Sequence, residues 1–221
     1  MVLSTQIDAG LRGWGFVMPI DAARFYAEFV TQFALESSTK GTITWLYFHK
    51  QARMHDMGSG LKDSDWTPMI VTFLDVLAWK LGYIQLYERP IKGFRSWDRD
   101  CIWIDPGDPA HSAVAIEAEN NSESALDSEV PKLLTDEASL KVLITYPPGA
   151  YGGHGSLRVW RDNYLTRLSQ AIQVTAGRAK PGCAAEFLLI YGDYAFPEPV
   201  DWHFASLASD DHRWGDQWLL P

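Results

Sequence analysis

A chain of 221 residues with 19 basic and 28 acidic side chains has a formal net charge of −9, which is not the basic footprint of a protein that grips nucleic acid without sequence preference. An apolar fraction of 47% and a charged fraction of 21% exclude a disordered chain and supply enough side chains for one sizeable core. Two cysteines are too few for a zinc site or a disulfide framework, no signal peptide opens the sequence, and no apolar run nears the roughly 20 residues that cross a bilayer, so a cytoplasmic protein without membrane contact is expected.

In chain order, residues 1–18 lack clear periodicity and read as an arm or as a short strand at Trp14 to Val17. From Pro19 the pattern turns helical: Asp21 is a capping residue, and Ala22, Phe25, Phe29, Val30 and Phe33 recur at the spacing of one helix face to about Glu36. Thr42 to Phe48 reads as a strand or a buried helix, and His49 and His55 beyond it are expected to be solvated. Gly58 to Asp63 is the best internal boundary, dividing an N-terminal elaboration (1–62) from an α/β core (63–208) and a C-terminal tail (209–221). Asp65 then caps a helix with Pro68 in its first turn and Ile70, Phe73, Leu74, Leu77 and Leu81 on its apolar face, stopped by Gly82. Tyr83 to Glu88 reads as a strand, and the basic residues Arg89, Lys92, Arg95 and Arg99 follow it.

The stretch from Arg99 to Asn121 predicts a hairpin, because two apolar runs flank the turn-rich sequence Asp-Pro-Gly-Asp-Pro. With Asp100 opposite Glu117, Ile104 falls opposite Ala113, and Asp105 to Ser112 are left as an eight-residue loop. Strand side chains alternate, so Asp100, Glu117 and Glu119 then share one face. Three such acids repel one another unless a proton or a hard cation intervenes, and magnesium prefers carboxylate and water oxygens. The alternative is that one or more of them faces solvent or pairs with Arg95 or Arg99.

An Asp entering one strand, a turn, and an apolar strand ending in Glu-x-Glu resembles the restriction endonuclease-like superfamily, known by its PD-(D/E)xK motif. Asp100, Glu117 and Glu119 fall on the three motif positions, with Glu119 where most members carry Lys, as in some type II restriction enzymes. The segment Ile116 to Asn120 (IEAEN) is also similar to a motif of uncharacterised proteins related to that fold, in which a helix and a strand ending in Tyr follow. The resemblance implies a helix ahead of the strand meander, a mixed central sheet, and Mg2+ or Mn2+ held by Asp100, Glu117 and Glu119. It further implies Glu88 as an additional upstream metal ligand, the alternative being a pair with Arg89 or Lys92, and Lys132 as a substitute for the missing Lys. The basic cluster of Arg89, Lys92, Arg95 and Arg99, set beside an acidic site, reads as contacts to the phosphates flanking a scissile bond or as a solvated surface.

Beyond the motif, Ser124 to Glu137 reads as a helix kinked or delayed by Pro131, with Lys132 placed to reach back toward Glu119. Leu140 to Tyr146 is a nearly continuous apolar run, as a strand covered on both faces requires. After a Gly- and Pro-rich loop from Pro147 to Gly155, which carries His154, Leu157 to Thr175 reads as an amphipathic helix. Val159, Leu165, Leu168 and Ile172 are assigned inward, and Arg158, Arg161 and Arg167 to polar positions. Ala185 to Tyr191 is a second buried strand and Trp202 to Leu207 a short edge strand, ahead of an acidic tail with Trp214 and Trp218.

The expectation is an α/β fold, a mixed central sheet flanked by helices with a restriction endonuclease-like core, acting as a metal-dependent nuclease. Its rival is a non-catalytic interaction or regulatory module on the same fold, and a glycosidase reading of the carboxylates ranks last. The sequence leaves open whether the substrate is DNA or RNA and whether the chain forms a homodimer.

Overall fold

A computed structural model describes residues 18–38, 66–87, 100–119, 122–145, 154–176, 186–193, 201–207 and 214–215. The elements expected at 14–17 and 42–48, the boundary at 58–63, the capping residue Asp65, and Glu88, Arg89, Lys92, Arg95 and Arg99 lie outside the described residues.

The first helix, α1 (Ala22–Ser38), starts where Asp21 Oδ1 accepts the Arg24 N–H at 2.7 Å, an N-cap bond. A second orphan donor, the Ala22 N–H, is satisfied at 2.8 Å by the Glu186 carboxylate, 164 residues away in sequence. Helix α2 (Trp66–Leu81) ends as its sequence predicts. Gly82 adopts a left-handed φ of 88°, the Tyr83 N–H bonds back to the Ala78 carbonyl at 2.9 Å, and the Gly82 N–H bonds to that of Trp79 at 3.1 Å. A side chain at this φ is strained, so Gly82→Ala is expected to cost roughly 1–2 kcal/mol, read as a lower urea midpoint with an unchanged denaturant slope.

Seven strands form one mixed sheet in sequence order: β1 (Ile84–Tyr87), β2 (Cys101–Asp105), β3 (Asp108–Glu119), β4 (Leu140–Thr145), β5 (Glu186–Asp193), β6 (Asp201–Leu207) and β7 (Trp214–Gly215). The meander β1-β2-β3 is antiparallel, β3-β4-β5 are parallel, and β5-β6-β7 are again antiparallel. Each parallel step needs a crossover, and the helices between β3 and β4 and between β4 and β5 supply them. β4 is buried along its whole length, as its nearly continuous apolar run requires, and the buried Lys141 donates its amine to the Ala138 carbonyl at 3.1 Å. Trp202 to Leu207 is not the sheet edge: Trp202, Phe204, Ala205 and Leu207 are buried, and β7 pairs beyond β6.

Alternation along the strands divides the interior into two cores. On one face α1 and α2 cover Cys101, Trp103, Val114, Ile116, Val142 and Ile144, and aromatic rings fill the gap. Phe25 stacks on Trp103 with centroids 5.0 Å apart, and Phe29 meets Phe73 and Trp202 edge-on at 5.0 and 5.1 Å. The buried indole Nε1 of Trp103 donates to Gln85 Oε1 at 2.7 Å, and Gln85 Nε2 donates on to the Val71 carbonyl at 2.8 Å, so neither polar group is stranded. Tyr26 donates its hydroxyl to the Trp202 carbonyl.

The opposite face carries Ile102, Ala115, Leu143, Phe187, Leu189 and Tyr191 under the remaining helices, the longest of which is α5 (His154–Ala176). His154 therefore belongs to the first turn of this helix rather than to the preceding loop. The buried side of α5 is Arg161, Tyr164, Leu165 and Leu168, with Ala171 and Ile172 partly buried. Val159 stands two residues before Arg161, about 200° around a helix, and is exposed, contrary to its expected inward position. Arg161, expected on the polar side, is buried, and its Nε and Nη2 donate to Asp162 Oδ1 at 3.0 and 2.8 Å.

The hairpin register holds at its base and fails at its tip. Cys101 lies opposite Ile116, Ile102 opposite Ala115 and Trp103 opposite Val114, the register that places Asp100 against Glu117. Ile104 then faces Ser112, not Ala113, and Asp105 faces Asp108 across Pro106 and Gly107, so the expected eight-residue loop is a tight turn. Asp105 Oδ1 accepts the Gly107 N–H at 2.7 Å and closes that turn locally. The surplus residues are absorbed as irregularity in β3 around Pro109, which has no N–H to give to a ladder.

Candidate functional site

The site grows from the place where β2 has stopped and β3 continues. Beyond the last pair, Cys101 with Ile116, backbone pairing is replaced by side chains. The Asp100 N–H donates to Glu117 Oε2 at 3.2 Å, and Asp100 Oδ2 accepts the Ala118 N–H at 2.8 Å. Glu117 follows the apolar run Val114 to Ile116 into the interior and is only 2% exposed, while its Oε1 accepts no hydrogen bond. A buried carboxylate in this state is costly to ionise. Burial first, then the negative charges of Asp100 and Glu129, push its carboxyl up to about 9, against the weaker pull of Lys132 and the Asp100 amide.

A broken helix packs over this point: a short α3 (Ser122–Ser124), a π-turn over Ala125–Glu129, and α4 (Val130–Thr135). The element therefore begins two residues earlier and ends two residues sooner than Ser124 to Glu137. Val130 donates its N–H to the Ala125 carbonyl five residues back, and Pro131, which has no N–H, stands in the first turn of α4. The wide turn thus accommodates the proline inside a continuous helical path. Ala125, Val130 and Leu133 are buried toward the sheet and hold the segment down.

This geometry introduces Glu129, which the motif-based reading does not include. Its Oε2 accepts Lys132 Nζ at 2.6 Å and its Oε1 accepts Ser128 Oγ at 2.7 Å. Burial alone would raise the Glu129 carboxyl; the hydrogen bonds from Lys132 and Ser128, the charge of Lys132 and a hydrogen bond shared with the Glu117 carboxyl outweigh it and hold the group below its ordinary range. Lys132 donates to Glu129 and lies within electrostatic reach of Glu117. The signal for Glu129 in the sequence is its i, i+3 spacing to Lys132 on a helix, a pattern too common to single out.

Glu119 lies two residues beyond Glu117 on the same strand face, opposite Thr145 of β4 and partly exposed. The expected sharing of one face by Asp100, Glu117 and Glu119 follows from the register; direct hydrogen bonding joins Asp100 to Glu117. Further along the strand ends the interior stays polar. Tyr164 of α5 stacks on Trp160 with centroids 4.8 Å apart, and burial together with the charge of Glu123 pushes its phenol well above its ordinary range. The buried Thr145 Oγ1, Ser122 Oγ, Tyr164 hydroxyl and Trp160 Nε1 make no hydrogen bond, an unusual concentration of unsatisfied groups. These groups gather near the carboxyl ends of parallel strands, the edge where open α/β sheets place ligands.

Among the described residues no set of three or more His, Cys, Asp or Glu side chains is arranged to hold a metal ion, so the three-acid ligand set is not assembled. Two acids, Asp100 and Glu117, are joined, and magnesium is commonly held by one or two carboxylates with water and substrate phosphate completing its shell. The second oxygen of Glu117 meets no N–H or O–H donor, and its carboxyl is in side-chain hydrogen-bond contact with that of Glu129. Glu88, Arg89, Lys92, Arg95 and Arg99 cannot be placed against this pair, since they lie outside the described residues. Among the described residues no helix is long and apolar enough to cross a membrane. Fold and site together define a mixed α/β protein with the buried Glu117 and the half-buried Asp100 at the end of a short strand; no family model, curated protein or solved structure matches the chain.

Proposed function

We propose that the chain is a divalent-cation-dependent nuclease-like protein that hydrolyses phosphodiester bonds. The observation that carries this reading is the carboxyl of Glu117, buried at the strand end, accepting the Asp100 N–H on one oxygen and gathered with the carboxyls of Asp100 and Glu129. The element order supports it as well: helix, three-strand antiparallel meander, helix, then a strand parallel to the third is the order implied by the restriction endonuclease-like resemblance.

Magnesium or manganese, when bound, would activate water and neutralise charge on the phosphate under attack. Asp100 and Glu117 would hold the cation, and Asp100 keeps its carboxylate oriented by accepting the Ala118 N–H. Glu119, on the same face and partly exposed, is placed to accept a proton from an attacking water. Lys132 supplies a fixed positive charge beside the acids in a chain whose motif has no Lys. The basic cluster from Arg89 to Arg99 is assigned to phosphate contacts flanking the scissile bond.

The test is cleavage of labelled single- and double-stranded DNA and RNA with Mg2+ or Mn2+. Asp100→Asn, which can still accept the Ala118 N–H, is expected to lower the rate roughly 10²–10³-fold, and chelation should abolish it. Cleavage unaffected by Asp100→Asn, or none by the wild-type protein on any of the four polymers, would remove the assignment. A non-catalytic interaction module on the same fold is favoured by the net charge of −9 and by the missing three-acid set among the described residues. That reading requires calorimetry to find no Mn2+ binding dependent on Asp100 and Glu117.

A further inference from the structure

We propose that Ser122, Thr145, Trp160 and Tyr164 form a subsite beside the acids that receives a ribose hydroxyl, so that the substrate is RNA rather than DNA. The inference rests on the nuclease-like reading above and concerns which nucleic acid that site takes. Glu119, Thr145, Tyr191 and His203 stand in one row across the sheet, paired in register from β3 to β6. Alternation sets this row on the face of Leu143, Leu189 and Ala205, which α5 covers. Over it the Trp160 ring stacks on Tyr164 and lies 5.5 Å from the ring of Tyr191, which in turn stacks on His203 at 5.3 Å. At this strand end the Ser122, Thr145 and Tyr164 hydroxyls and Trp160 Nε1 make no hydrogen bond, although Ser122, Thr145 and Tyr164 are at most 1% exposed.

The chemistry of these four groups selects the ligand. Each hydroxyl both donates and accepts and the indole N–H donates, which matches a ligand hydroxyl that can do both. A buried polar group without a partner is costly to the fold, so four at one strand end point to a group received from outside. Glu119 and Glu123 lie within electrostatic reach of the Tyr164 hydroxyl, and their charges oppose an anion such as phosphate. Arg167, also within that reach, is held by the Glu123 carboxylate at 2.7 Å. The polar atoms lie behind the surface, so the group they take is small, a hydroxyl and not a base. In nucleic acid the neutral group of this kind is the 2′-hydroxyl, which also tells RNA from DNA. Thr145 pairs across from Glu119, two residues beyond Glu117. Strand geometry then sets the Cα atoms of Thr145 and Glu117 roughly 8 Å apart, a span that one nucleotide bridges.

Calorimetry on the full chain, in chelator, with a short RNA and the DNA of the same base sequence tests the inference without requiring cleavage. The wild-type protein is expected to favour RNA by at least about 100-fold, since a site built to bond a hydroxyl rejects the analogue that lacks it. Thr145→Val keeps the shape of the side chain and removes its hydroxyl. It should cut the preference by at least about tenfold and raise the urea midpoint, because an unpartnered buried group is lost. Tyr164→Phe should do the same. Equal binding of RNA and DNA, binding of neither, or a preference that both variants leave intact overturns the proposal. Uridine and 2′-deoxyuridine separate a free nucleoside from the polymer: a preference seen with them and absent from the oligonucleotides would make the ligand a nucleoside and overturn the assignment to RNA. A preference for RNA that Thr145→Val removes, in a protein that cleaves no RNA with Mg2+ or Mn2+, would refute the nuclease reading and support the subsite.

Discussion

Glu117→Gln is expected to lower cation-dependent cleavage by roughly 10²–10³-fold and, in chelator at pH 8, to make the protein more stable. The two effects have one cause. In the unfolded chain Glu117 is ionised at pH 8, whereas in the fold its carboxyl is pushed up to about 9 and carries a proton. Folding without a cation must therefore take up that proton, at a cost on the order of a few kcal/mol at this pH. A glutamine keeps the oxygen that accepts the Asp100 N–H and removes the ionisation, so the cost disappears. Gain of stability with loss of activity is the mark of a group retained for function at the expense of the fold. Urea unfolding at pH 8 alongside the cleavage assay measures both; a less stable Glu117→Gln protein would show that Glu117 is a structural acid.

The second large effect is a pH dependence whose sign differs with and without cation. Because the folded-state pKa of Glu117 is raised, its contribution to stability is fully present below its unfolded value of about 4.5 and is lost as pH rises through the folded value of about 9. In chelator, stability should decline between these limits by up to about 1.4 kcal/mol per pH unit. Glu129 acts in the opposite sense: its folded value is lowered, so its contribution is present above the ordinary carboxyl range and is lost as pH falls through the folded value. A bound cation requires the ionised carboxylate, so Mn2+ affinity should rise with pH, and binding at pH 7 should release up to about one proton per ion. Unfolding midpoints across pH 5 to 9 and calorimetry in buffers of different ionisation enthalpy measure the two effects. Stability in chelator that is flat or rising over this range would show that Glu117 is ionised in the fold.

Much of this protein was legible because its local signals agree with its tertiary context. The Asp21 cap and the Phe25, Phe29, Phe33 stripe define α1, Gly82 ends α2 with the predicted turn, and the apolar run from Leu140 becomes the fully buried β4. The base of the hairpin was readable for the same reason, since a one-residue slip would turn Ile102 and Ala115 out of one core and Trp103 and Val114 out of the other. Its tip was not, because no core lies behind Asp108 to His111 to enforce a register there. The phase of α5 was misread where Val159 and Arg161 exchange their expected sides: an apolar residue tolerates water, and an arginine can be buried when a carboxylate such as Asp162 meets it.

By itself the sequence determined the order of the described helices and strands from Ala22 to Leu207, the pairing that sets Asp100 against Glu117, and the common face of Glu117 and Glu119. All of these follow from short-range periodicity and turn chemistry. Only the tertiary structure decided that Glu117 is buried against Glu129 and that Glu129 holds Lys132. It likewise decided that Glu186 caps a helix 164 residues away. Burial and ionisation depend on which helix covers a strand end and at what phase. That phase is set by a π-turn ahead of a proline and by packing against a sheet assembled from distant segments.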